Sequence, residues 1–147
     1  MNPSRPAVVA AVLAVSAVFA APAGATPPRD VEGTIIWETT DGAGTDQAKD
    51  YIFREITIAP GGSTGWHFHP GELLATVKEG VLLHNRADCS VDGFYVAGQD
   101  IFEKGGPGYV HLGRNVGPGP LVLQVLYINP AGAPLAEDAP DPGCGFA

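Results

Sequence analysis

From residue 26 onward, apolar residues alternate with polar ones or run in short blocks, and clusters of Gly and Pro interrupt them about every ten residues. Little in the pattern follows the helical period of about 3.6 residues. Regular short runs with turn signals predict strands packed into a sandwich or a closed barrel. Strands are expected at 33–37, 51–58, 64–68, 73–78, 81–84, 94–96, 100–102, 110–113 and 121–128. In 51–58, Ile52, Ile56 and Ile58 share one parity and Arg54 breaks it. The last run, LVLQVLYI, is nearly all apolar, which places it centrally in a sheet or under cover on both faces. Its one polar residue, Gln124, faces either a cavity or the outside; alternation alone allows both. From Asn129 the chain is rich in Pro and Ala without a period, and is expected to be a loosely packed extension.

The first 25 residues read differently. A single basic residue, Arg5, precedes an apolar run over 7–21, and small residues follow at Ala23, Gly24 and Ala25. That order is a secretory signal peptide with a cut after Ala25. The run falls short of the ~20 residues that span a bilayer, so no membrane association is expected once it is removed. The chain is then one domain over 26–147 in a secreted or periplasmic protein. Its formal charge of −8 becomes −9 on loss of Arg5, and no basic patch remains, which argues against nucleic acid as a partner. Two cysteines, Cys89 and Cys144, are expected to form a disulfide in such a compartment. It would pin the tail and contribute about 4 kcal/mol.

The candidate chemistry lies in GGSTGWHFHPGELLATVKEG, over 61–80. His67 and His69 are one residue apart in a strand-like segment, so their side chains share a face and can reach one metal ion. His111, in GGPGYVHLGRN, can close the site from a second strand. Gly61, His67, His69 and Gly80, followed by Gly108, His111 and Asn115, match the spacing of a two-part motif. On these residues the chain resembles the cupins, specifically the single-domain, type-2-like ones. The resemblance spans 61–115 and implies an all-β jelly roll, or double-stranded β-helix barrel. It implies one divalent transition metal (Fe, Mn, Zn, Cu or Ni) on His67, His69, His111 and a glutamate. It also implies a small-molecule ligand or substrate, and a homodimer in many cases.

Two positions depart from the motif. Its glutamate belongs at Leu73 or Leu74, whereas the carboxylate here is Glu72. A one-residue shift puts Glu72 on the opposite face of a regular strand, whereas a turn or bulge at Pro70–Gly71 would aim it inward as the fourth ligand. The motif's second-part proline falls on Gly106, beside Pro107, after a longer turn. His84 ends a strand before a polar loop and reads as a surface residue. Trp66 and Phe68 have the opposite parity to the histidines and read as packing residues, and Arg114 reads as a surface arginine. Ser63 and Ser90 stand in no nucleophile elbow, and the glycines of KGGPGYV belong to turns rather than a phosphate loop. Two functions follow from the resemblance. One is a metal-dependent enzyme, of oxygenase or isomerase type, acting on a small organic molecule. The other is a small-ligand or metal-binding module without turnover.

Overall fold

The computed structural model describes residues 24–146. The expected signal peptide therefore lies, but for its last two residues, outside the described residues. Among these there are ten strands and no helix. The strands are β1 (Arg29–Asp41), β2 (Lys49–Ser63), β3 (His67–Phe68), β4 (Glu72–Glu79), β5 (Val81–Arg86), β6 (Val91–Val96), β7 (Asp100–Glu103), β8 (His111–Asn115), β9 (Leu121–Pro130) and β10 (Glu137–Asp138).

All ladders are antiparallel. One run of strands is β1-β2-β9-β4-β7, and the other is β10-β3-β8-β5-β6. The end of β2 joins them, where Ser63 pairs with Arg114. The result is a nearly closed barrel. Its interior follows from strand alternation: Leu121, Leu123, Val125 and Tyr127 of β9 point inward with Leu73, Ala75 and Val77 of β4 and Ile58 of β2. Each fully buried aliphatic side chain of this set contributes about 1.5–3 kcal/mol.

The apolar LVLQVLYI run is explained by its central place between β2 and β4. Its outer face is apolar too, because Leu126 belongs to a row crossing five strands: Trp37, Phe53, Leu126, Leu74 and Phe102 are successive register partners. Trp37 stacks on Phe53 at 5.8 Å, and Trp37, Leu74 and Phe102 are about half exposed. Gln124 faces outward and donates to Glu55 at 3.4 Å.

Two expectations need correction. The strand over 64–68 shrinks to His67–Phe68, because Gly65 takes a positive φ of 71° and breaks the extended run. A side chain at Gly65 would also collide with the backbone oxygen of Thr26. The tail, in turn, is not loosely packed. Glu137 and Asp138 pair with Phe68 and His67, and Ala139 is buried and donates its N–H to the Trp66 carbonyl at 2.8 Å. Phe146 lies 6.1 Å from the Trp66 ring, and the Arg114 guanidinium sits 4.1 Å above Phe146. Cys144 is bonded to Cys89 across 55 residues. The tail is thus a strap over the strand that carries the first histidines.

Candidate metal centre

His67 on β3 is the register partner of His111, the first residue of β8, so these two imidazoles start from facing strands. His69 lies one residue beyond β3 with the same parity, and its carbonyl accepts the Gly106 N–H at 2.7 Å. The three ring centroids are 4.4, 4.8 and 5.2 Å apart. All three histidines are buried.

Glu72 does not join them. The register of β4 against β9 runs unbroken from Glu72 to Val77, so no bulge turns Glu72 inward. The corner before it is fixed instead by close backbone packing, since a side chain at Gly71 would meet the Ile128 carbonyl and Asn129. Glu72 is left exposed and Leu73 points into the barrel.

The carboxylate at the cluster is Glu103, on the neighbouring strand β7, directly paired with Leu73. Its Oε2 lies 3.1 Å from His69 Nε2 and 3.0 Å from His111 Nε2. Its Oε1 lies 3.2 Å from Nε2 of His84, which is buried rather than on the surface. Sequence reasoning missed both residues, although a cue existed. Glu103 shares the inward parity of Ile101, and His84 that of Leu82, so each is a polar residue on an apolar face.

The outer nitrogen of each ring is already engaged. Nδ1 of His67 donates to the Gly65 carbonyl at 2.9 Å, that of His69 to Leu135 at 2.6 Å and that of His111 to Tyr109 at 2.9 Å. A carbonyl only accepts, so in these three rings Nδ1 carries a proton, and Nε2 of a neutral ring would present a lone pair to the interior. His84 Nδ1 meets Asp92 Oδ2 at 3.1 Å. Asp92 also accepts from the Tyr109 hydroxyl at 2.5 Å and from Arg86 Nε at 2.6 Å. Burial opposes ionisation of Asp92, but these donors and His84 outweigh it and hold its carboxyl below the ordinary range.

The inner atoms do not satisfy one another. His67 Nε2 and His69 Nε2 face each other at 3.2 Å. His84 Nε2, His111 Nε2 and Glu103 Oε2 are buried without a hydrogen bond, although they lie within ion-pair distance of a neighbour. Close approach without hydrogen-bond direction leaves these atoms in need of another partner. A proton on Nε2 would satisfy one contact by charging a ring that already donates at Nδ1. A cation held by either of two overlapping groups of these atoms would satisfy three of them at once. Burial, with repulsion from His111 and His69, pushes His67 down to about 3, so it stays a neutral donor. Burial disfavours the Glu103 carboxylate, and positive charge or a donated proton at the His111, His69 and His84 contacts is what would hold it well below the usual range. His67, His69 and His111 form one group of atoms able to hold an ion, and His84, Glu103 and His111 form an overlapping one. Imidazole nitrogens with a single carboxylate suit a divalent transition metal better than Ca²⁺ or Mg²⁺.

The sequence matches no protein-family model and no curated protein significantly. Solved structures share its fold. A Klebsiella pneumoniae protein with a double-stranded β-helix domain is 24% identical, with 77% of this chain and 84% of that one covered at a TM-score of 0.56. The polyketide cyclase RemF of Streptomyces resistomycificus is 20% identical over 90% of this chain and 89% of its own, at 0.57. A cupin-like protein of Thermotoga maritima is 18% identical over 76% and 77%, at 0.56. The barrel therefore has the cupin, or double-stranded β-helix, fold, which hosts enzymes among its members.

The strap bears on the centre because it carries the Leu135 carbonyl that orients His69. Cys144→Ser is expected to lower stability by about 2–4 kcal/mol in urea unfolding and to weaken metal binding in a calorimetric titration. Lost stability with unchanged metal affinity would separate the strap from the site.

Proposed function

We propose that this cupin-fold chain holds one divalent transition metal on His67, His69, His111 and Glu103, and is a metal-dependent enzyme of oxygenase or isomerase type acting on a small organic molecule. The observation that carries the reading is the set of buried Nε2 atoms and one carboxylate that converge while every Nδ1 is tied to an outer acceptor. Outer acceptors of this kind fix ring orientation and raise ligand basicity in metal sites. When bound, the metal would polarise a substrate oxygen or bind dioxygen.

The chain's own residues have separate roles. His67, His69 and His111 supply neutral nitrogens from two facing strands. Glu103 supplies the negative charge that keeps a divalent ion favourable in a buried site. His84, whose Nδ1 meets Asp92, stands 3.2 Å from Glu103 Oε1 and packs beside it. The apolar walls of the barrel exclude water.

One observation favours the second reading, a binding module without turnover. Glu103 is the one carboxylate lining the cavity among the described residues, and the metal engages it. No second acid is left there as a general base.

Elemental analysis of the chain purified without chelator is expected to give about one equivalent of a transition metal. Glu103→Leu is expected to lower that content at least about tenfold in affinity, because it removes the one anionic donor, while Glu72→Gln leaves it unchanged. Equal retention in the two variants would remove Glu103 from the centre.

Export from the cytoplasm belongs to the same proposal. It is supported by the Cys89–Cys144 disulfide and by the apolar stretch over 7–21, and among the described residues no helix is long and apolar enough to cross a membrane. Intact mass of the exported protein is expected to place its N-terminus at Thr26; a retained leader would contradict the cut.

A further inference from the structure

The walls around the centre say what size and kind of ligand can reach it. The donors line a cavity of about 60 Å³ together with Ile56, Leu73, Ala75, Ile101, Leu123 and Val125. A buried water occupies roughly 10–15 Å³ on the same measure, so the space admits about four to six non-hydrogen atoms. Pockets for ordinary small-molecule ligands start near 300 Å³.

The wall carries few hydrogen-bonding groups of its own. Thr64 Oγ1 already donates to the Gly65 carbonyl at 3.1 Å and accepts the Gly113 N–H at 2.9 Å. Tyr127 also lines the space, its ring 5.6 Å from that of His69. Everything else lining the space, apart from the centre's own histidines and glutamate, is hydrocarbon or Gly113.

We infer that the centre takes a compact ligand of a few non-hydrogen atoms, a dioxygen-sized molecule or a one- or two-carbon anion, with Leu73 and Val125 as the wall that excludes larger ones. This rests on the metal reading above. Recognition is by the metal at one end of the ligand and mainly by shape at the other, because Thr64 and Tyr127 bring the wall's two hydroxyls and the rest of it is apolar. Leu73 is informative here. It occupies the position where the resembling motif places its glutamate, and the change puts a bulky apolar side chain into the space while its register partner Glu103 provides the charge. Polycyclic or aromatic substrates require a larger cavity than this barrel provides.

The test uses the mature chain loaded with Co²⁺, with metal content measured in every sample. Azide and catechol are titrated separately and followed by the visible spectrum of the metal. Azide is expected to bind and catechol to bind at least about ten- to a hundredfold more weakly, the range that overpacking a filled core produces. Leu73→Ala is expected to admit catechol, and Val125→Ala provides a second enlargement at the same wall if the first variant does not fold. Catechol binding as tight as azide in the unaltered protein would overturn the inference, as would an unchanged ratio in a folded, metal-loaded variant. If the chain takes up no metal at all, the metal reading fails and this inference fails with it. Full metal loading with indiscriminate ligand binding overturns this inference alone.

Discussion

Everything around the centre depends on a single electrostatic constraint: several buried histidine nitrogens and a carboxylate line one cavity of about 60 Å³. The histidine rings are buried, and burying a polar atom without a partner costs roughly 1–3 kcal/mol. The fold nevertheless holds His67, His69, His84 and His111 in this arrangement, each from its outer side. Three of those outer contacts are backbone carbonyls, whose positions the barrel sets without any further side chain. A bound cation would supply the missing term, and the geometry that is costly without it would become a pre-organised binding site with it.

The location of the carboxylate shows how sheet register permits substitution across strands. Leu73 and Glu103 are paired neighbours on β4 and β7, so their side chains rise side by side from the same face. Moving the charge from one to the other shifts it by roughly one strand spacing, about 4.8 Å, a distance a glutamate side chain spans. A move along the same strand to Glu72 would instead have put it on the opposite face. The sheet makes the cross-strand move the smaller one, although it looks distant in sequence. With the charge on β7, His84 of β5 faces its second oxygen, and Asp92 and Tyr109 extend the network outward.

The barrel was readable from the chain because alternation and Gly/Pro punctuation are local signals. The expected strands at 73–78 and 121–128 lie within β4 and β9, and the spacing of the three histidines anticipated that they would meet. Cys89 and Cys144 are joined as compartment chemistry suggested. What could not be read depended on pairing between distant segments. The partner of Leu73 is known only once β4 and β7 are in register, so Glu103 had no motif position to mark it. His84 was misplaced because a polar loop follows it, although Leu82 beside it already carried the inward parity. The tail lacked periodicity since it is held by a two-residue bridge, Ala139, Phe146 and a disulfide rather than by a long strand.

X-ray absorption at the metal edge of the loaded, mature chain tests the central claim most directly, because it reads the atoms around the ion rather than its amount. The account predicts a shell of nitrogen and oxygen donors at about 2.0–2.2 Å, with outer-shell scattering from several imidazoles and no sulfur. A shell dominated by water oxygens, with scattering from at most one imidazole, would contradict it.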